Sequence, residues 1–187
     1  AIGYAFGLIL SGYLFGKKND VDIRKQGSGN IGTTNTMRIL GIKVGALTLV
    51  CDCLKCVAAV VVVYVLFHNA YPDHIVLLEL YGAIGAILGH DFPFFMKFKG
   101  GKGIACSFGM IVALFPQCLP ICVLIFILVV ALTRYVSLGS ILAVLALMAQ
   151  VWIFGAKGWL RFDVSDVLEA QILVSFVCIL AIVLHRS

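Results

Sequence analysis

Residues 103–132 read GIACSFGMIVALFPQCLPICVLIFILVVAL, a run without one Asp, Glu, Lys or Arg. An element facing water needs a polar side, and this stretch has none, so the solvent it matches is lipid. Residues 137–155, SLGSILAVLALMAQVWIFG, repeat the pattern. The whole chain agrees: 187 residues, 62% hydrophobic, 12% charged, with a mean hydropathy of +1.10. A soluble domain of this size could not clothe so much apolar surface in a polar shell. The expected fold class is all-α, a polytopic membrane helical bundle forming a single integral membrane domain over residues 1–187.

Working outward from that run, apolar segments fall at Ala1–Gly16, Val44–Phe67, Ile75–Gly89, Ile104–Phe115, Ile121–Leu132, Leu138–Phe154 and Val167–Leu184. Pro116 and Pro120 divide the quoted stretch, because each removes an amide donor and clashes with the preceding turn. The two halves are short beside the roughly 20 residues of a full crossing. Two tight spans, a re-entrant pair and one broken crossing all fit the lengths. Charge chooses between them. Lys17, Lys18, Arg24, Lys25 and Arg38 lie in the first loop, Lys97, Lys99 and Lys102 in the third, Arg134 in the fifth, and Arg186 after the last segment. The sixth loop holds only Lys157 and Arg161. With seven segments the basic loops share one side, the cytoplasmic one, and the N-terminus lies outside.

The net charge of +5 sits in short loops and not along one solvated face, which argues against a nucleic-acid partner. The seven cysteines read as reduced and structural. Cys51, Cys53 and Cys56 have a Cys-x-Cys-x-x-Cys spacing but lie within an apolar segment without a second ligand cluster, so packing is favoured over zinc and no metal is expected. The chain starts at Ala1 inside an apolar stretch and stops at Ser187, and both ends read as clipped. The first segment lacks a basic leader and a cleavage site, and is expected to be a retained span. No internal repeat or low-complexity tract is visible. Trp159 and Phe162 in the sixth loop suit an aromatic anchor at the membrane surface.

Polar residues gather in a few places. Residues 27–38, GSGNIGTTNTMR, combine glycines that let backbone amides approach an anion with Ser, Thr and Asn donors, closing on the planar guanidinium of Arg38. The bland alternative is a polar loop ending in a helix cap; the density of donors favours an anion site. Residues 89–103, GHDFPFFMKFKGGKG, place Gly100, Gly101, Lys102 and Gly103 directly before an apolar segment, where a helix N-terminus favours negative charge. The Walker pattern fails, because Gly103 stands where Ser or Thr is required, so ATP is not implied. The competing reading is a basic turn touching anionic lipid. Residues 133–140, TRYVSLGS, form a third donor-rich turn, and His185-Arg186 close the chain at the same face. Inside the apolar segments, Asp52 and Lys55 are three apart and share a helix face, as a structural pair or a functional one. Glu79 has no sequence-local partner.

At these residues the chain resembles the bacterial acyl-phosphate:glycerol-3-phosphate acyltransferase family, PlsY, over nearly its whole length. The lead-in Asp22-Ile23-Arg24 to Gly-Ser-Gly-Asn, the Gly-His-x-x-Pro…Gly-Gly-Lys-Gly block and Thr-Arg-Tyr-Val-Ser occur in order, and the Asp52/Lys55 pair also matches. The resemblance implies transfer of a fatty acyl group from acyl phosphate to the sn-1 hydroxyl of glycerol-3-phosphate. The products would be lysophosphatidate and phosphate, at the first step of phospholipid synthesis in the bacterial inner membrane, with the site on the cytoplasmic side. It implies no cofactor, membrane lipid as surroundings, and as a partner the soluble acyltransferase that forms acyl phosphate. Carried over, it makes Ser28, Arg38, Lys102 and His185 catalytic, and Asn30, Thr34, Asn35, His90, Gly100, Gly101, Gly103 and Ser137 substrate-binding. Gly100 to Gly103 would be the phosphate loop. The family's usual continuation past His-Arg, which carries an Asn of the site, is absent here, and Gly7-Leu8-Ile9-Leu10 replaces a common Gly-Ser-Ile-Pro.

His90 and His185 are candidate bases, but the expectation is that the donor's own phosphate takes the hydroxyl proton. Two rivals stand beside this reading. His68 to Asp73 spells the His-x-x-x-x-Asp of CoA-linked acyltransferases, by chance if it lies on the outer face. A membrane anion or phosphate transporter is the other.

Overall fold

The computed structural model describes residues 1–186, all of them in helices, turns and loops. The α-helices among the described residues are α1 (Ile2–Gly7), α2 (Ser11–Lys18), α3 (Thr33–Leu40), α4 (Ile42–Phe67), α5 (Ile75–Asp91), α6 (Ile104–Leu114), α7 (Leu119–Thr133), α8 (Val136–Ala156) and α9 (Val167–Arg186). Helices occupy every apolar segment read from the sequence. Five of them, α4, α5, α7, α8 and α9, are long and apolar enough to cross a bilayer when their short flanking turns are included. At 26 residues, α4 extends about 39 Å, whereas α6, with 11, extends only about 16 Å. The Phe115–Pro116 junction and the 3-10 turn Pro116–Cys118 end α6 where the prolines require.

The first segment differs from the expected single span. It breaks between α1 and α2 at Leu8, Ile9 and Leu10. A break inside an apolar segment frees carbonyls that lipid cannot satisfy. Here the Lys55 ammonium from α4 donates to Ile9 O at 2.7 Å and lies 3.4 Å from Gly7 O. The break and the buried lysine therefore answer each other, a partnership between residues about 46 positions apart.

Around this tie the N-terminal half is packed through small residues. Helix α1 lies directly on α5: a methyl group at Gly3 would overlap the Gly82 carbonyl, one at Gly7 the Ala86 carbonyl, and one at Gly89 the Tyr4 carbonyl. Gly3-x-x-x-Gly7 and Gly85-x-x-x-Gly89 thus form facing stripes that let backbones touch, the packing mode lipid favours because it gives no hydrophobic drive of its own. Helix α4 packs on both α5 and α6, and α3 rests on α4 where Met37 covers Gly45.

The C-terminal half is a separate antiparallel layer in which α8 packs between α7 and α9. The two halves meet at the far end of the bundle. There α5 touches α9, the Pro116–Cys118 turn packs on α8, and Phe115 stacks on Phe162. His74 and Asp166 close the same end, 2.9 Å apart. Elsewhere the halves diverge, leaving a space between α4 and α6 on one side and α7, α8 and α9 on the other. The loops after α2, α5 and α7 and the end of α9 surround its mouth. Those loops and the helix ends beside them hold most of the cations, while the far end carries Lys157 and Arg161 among Asp73, Asp163 and Asp166.

Replacing Gly7 with Leu is expected to force α1 off α5 and lower stability by about 1–3 kcal/mol, the usual cost of overpacking. Thermal unfolding of the detergent-solubilised variant measures it; a midpoint equal to that of the unmodified protein would mean the glycine stripe does not hold these helices together.

Candidate functional site

The space between the halves is a cavity of about 690 Å³, polar at the mouth and apolar below. At the mouth, one side is built by α3 and the loop before it. Gly27 and Gly29 take left-handed φ values of +59° and +71°, which glycine adopts without strain. The loop they form wraps one side chain: Asn35 accepts from the Ser28 amide at 2.9 Å and donates to the carbonyls of Ile23, Gln26 and Asn30. Asn30 in turn accepts from the Gly32 amide at 2.8 Å, fixing the entry to α3. With its backbone so occupied, the loop turns Ser28, Asn30, Thr34 and Arg38 to the cavity. Asn35 borders the cavity too, but both of its amide hydrogens are spent on loop carbonyls. Expected from the sequence to be substrate-binding, it serves in this structure as the peg on which the loop is folded.

The glycine-lysine loop divides in the same way. The amides of Gly100 and Gly101 donate to Asp91 O at 2.9 Å and His90 O at 3.0 Å, capping the end of α5. Neither residue borders the cavity. Their tight approach to α5 is also why they are small, since a Cβ at Gly101 would strike the His90 ring. Lys102 and Gly103 do border it. Gly103 has φ +66° and carries the first carbonyl of the α6 ladder, bonded by Ser107 N at 2.7 Å. The amides that begin α6 therefore precede any intrahelical acceptor and face the cavity mouth. Across from them stand Ser137, in the first turn of α8, and His185, near the end of α9. His185 Nδ1 lies 2.8 Å from Ala181 O, so Nδ1 carries the proton and the Nε2 lone pair is left for a donor. Neither Arg38 nor Lys102 has an acidic partner among the described residues.

Beneath the mouth lies a buried charge cluster. Lys55 Nζ is 2.8 Å from Asp52 Oδ1 and 2.8 Å from His90 Nδ1, and Ser11 Oγ donates to the same Asp52 oxygen at 3.0 Å. An ammonium can only donate, so His90 accepts at Nδ1 and keeps its hydrogen on Nε2, the atom lying against Gly101. Asp52 and His90 both border the cavity, and Asp52 Oδ2 is buried without a partner. The pair that the sequence left open between structure and function is thus both the anchor of the helix break and part of the cavity wall.

Three bordering groups were not singled out from the sequence as site residues. Thr33 and Ser107 each hold a buried, unpartnered hydroxyl oxygen, and Ser140 bonds Val136 O. A serine one turn into an apolar helix is the only signal that pointed to Ser107. Cys51, Cys53 and Cys56 do not converge; among the described residues no trio of metal-ligating side chains is gathered. His68 and Asp73 sit in the α4–α5 loop and do not border the cavity.

Farther in, the cavity wall is apolar and ends blind, which speaks against a path through the bundle. One flank is open: Leu49 of α4 and Ile127 of α7 border the cavity while being 40% and 56% exposed.

The family described as glycerol-3-phosphate acyltransferase matches residues 1–187. Proteins named glycerol-3-phosphate acyltransferase are similar throughout. That of Trichlorobacter lovleyi is 40% identical over 186 residues, covering 98% of this chain and 87% of its own. That of Chlorobium phaeobacteroides is 37% identical, with 93% and 82% covered, and that of Clostridioides difficile is 41% identical over 144 residues, with 76% and 70% covered. Among solved structures, PlsY (YgiH), an integral membrane glycerol 3-phosphate acyltransferase, is similar in its glycerol 3-phosphate form. The TM-score is 0.81 at 30% identity, covering 98% of this chain and 84% of that one. Its lysophosphatidic acid form gives a TM-score of 0.77 at the same identity, with 96% and 84% covered.

Removing one member of the buried pair should be far worse than removing both. Lys55→Met leaves Asp52 charged, buried and unpaired, a loss of about 3–5 kcal/mol; adding Asp52→Asn should return much of it. Thermal unfolding of the two variants in detergent gives the comparison, and a single variant as stable as the double would show that the cluster is not coupled.

Proposed function

The chain belongs to the glycerol-3-phosphate acyltransferase family, and from that premise we propose that it transfers an acyl group from acyl phosphate to the sn-1 hydroxyl of glycerol-3-phosphate. The products are lysophosphatidate and inorganic phosphate. The observation that carries this reading is a single cavity with two unpaired cations, Arg38 and Lys102, at a polar mouth and an apolar interior behind them. Two phosphorylated reactants need two anion cradles, and a fatty donor needs an apolar slot beside one of them.

In this proposal Arg38 and Lys102 neutralise the phosphates and the charge that grows on the carbonyl oxygen, which is the largest available contribution to such a transfer. Ser28, Asn30, Thr34, Gly103 and the starting amides of α6 add neutral donors. Ser137 and His185 complete the pocket on the glycerol-3-phosphate side, holding the hydroxyl with its oxygen toward the carbonyl and its hydrogen toward the donor phosphate. The new C–O bond forms as the acyl C–O bond to phosphate breaks, and the departing phosphate leaves with the hydroxyl proton. Asn35, His90, Gly100 and Gly101 act through the loops they shape. His90 has its Nδ1 on Lys55 and serves as a post between α4 and the glycine loop.

The proposed setting is a bacterial inner membrane with seven crossings, the N-terminus outside and the mouth in the cytoplasm. The support is the gathering of Lys and Arg in the loops at the mouth. The same basic rim suits delivery of acyl phosphate by the soluble enzyme that makes it.

The test is mass-spectrometric detection of lysophosphatidate when the full-length protein is given palmitoyl phosphate and glycerol-3-phosphate; palmitoyl-CoA should not substitute. Arg38→Ala and Lys102→Ala are each expected to lower kcat/KM by about a hundred- to a thousandfold, while Asp73→Ala is tolerated. If the phosphate takes the proton, His90→Ala and His185→Ala each keep measurable turnover. Complete loss in a folded His185 variant would instead make that imidazole the base.

A further inference from the structure

The apolar part of the cavity stops at a common depth on four of the helices that enclose it. On α6 the wall ends at Ile111, and Leu114 and Phe115 below it are buried at 1% and 0% exposure. On α7 it ends at Cys122 above buried Cys118, on α8 at Leu147 above Val151, and on α9 at Val177 above Val174. Each helix passes from lining to sealed within about one turn. The level is also tied across the layer: Gln150, buried just beneath Leu147, donates to Cys122 Sγ of α7 at 3.4 Å and to Ala146 O. An apolar cavity without a cross-link at its base could deepen by side-chain rearrangement; this one is pinned.

We infer that this floor sets the acyl-chain length the enzyme prefers, an assignment that rests on the acyl-transfer reading above. From Lys102 to Ile111, from Ser137 to Leu147 and from His185 to Val177 the helices descend eight to ten residues, about 12–15 Å at 1.5 Å each. A zigzag of carbon–carbon bonds advances about 1.3 Å per carbon, so roughly ten carbons reach the floor in extended form. A longer chain has to turn sideways to the open flank between Leu49 and Ile127. The chain comes from lipid and gains no hydrophobic transfer energy on entry, so shape fit alone discriminates between lengths.

One turn above the floor, Ala143 borders empty space, and Leu147 has the largest side chain of the α8 floor. The experiment compares kcat/KM for octanoyl, decanoyl, lauroyl and palmitoyl phosphates in the unmodified protein, Ala143→Phe and Leu147→Ala. Folding is checked by gel filtration and thermal unfolding. Ala143→Phe fills vacant volume and should lower the lauroyl-to-octanoyl ratio by about tenfold, the scale of an overpacked contact; Leu147→Ala should raise it. Ratios unchanged in both variants overturn the assignment. The unmodified protein gives an independent reading, since a floor predicts a maximum within the series and a flat profile overturns it. If no chain length yields lysophosphatidate in the unmodified protein, the acyl-transfer reading falls first; turnover with a flat profile removes only the gauge.

Discussion

A single ammonium group organises the half of the molecule that builds the cavity mouth. Lys55 is 6% exposed on a helix whose other buried neighbours are mostly apolar, where an unpaired charge would be untenable. It persists because three elements bring acceptors to it: the broken first segment its carbonyls, α4 the Asp52 carboxylate, and α5 the His90 ring. Each acceptor is equally dependent on the lysine. The carbonyls of the break would otherwise face lipid, Asp52 would be a bare anion, and His90 would lose the bond that fixes its tautomer. The geometry of the glycine-lysine loop then follows, because Gly100 and Gly101 cap the helix end that His90 occupies.

The two halves of the bundle divide the labour. The first is dense, with backbones touching through glycine, and carries most of the polar loops. The second is a simple three-helix layer whose contribution is mainly an apolar wall, with Ser137 and His185 at its upper edge. Because the halves meet chiefly at the far end, the space between them is a slot and not a closed chamber. A rigid half presents the charges and a plainer half completes the shape, which suits one reactant that is small and polar and another that is long and greasy.

Much of this was legible in the chain. The apolar runs fixed the helices, since lipid leaves few other structures for 62% hydrophobic residues, and the three donor-rich turns foretold the mouth. What could not be read was the division of tasks inside each turn. In Gly27 to Arg38 the densest donor, Asn35, turns inward to hold the loop. In Gly100 to Gly103 two of the four residues face the cavity and two face a helix end. Composition gives the same score to a donor aimed at a ligand and one aimed at a carbonyl. The break after Gly7 was equally hidden, because its cause sits on another helix. A run of Leu and Ile carries no mark of a lysine that will pull its carbonyls out of register.

The slot between Leu49 and Ile127 has a further meaning for traffic. An enzyme that had to lift a fatty molecule out of the leaflet would bear the whole cost of exposing its tail to water, once on arrival and again on departure. A side entrance removes that barrier. The greasy reactant can arrive by lateral diffusion, while the water-soluble one drops in from above. For the proposed reaction, collision frequency on one axis is then governed by surface density in the sheet of lipid, and on the other by concentration in the aqueous phase. Diluting the bilayer with inert lipid would slow the enzyme without a single molecule of the soluble reactant being removed.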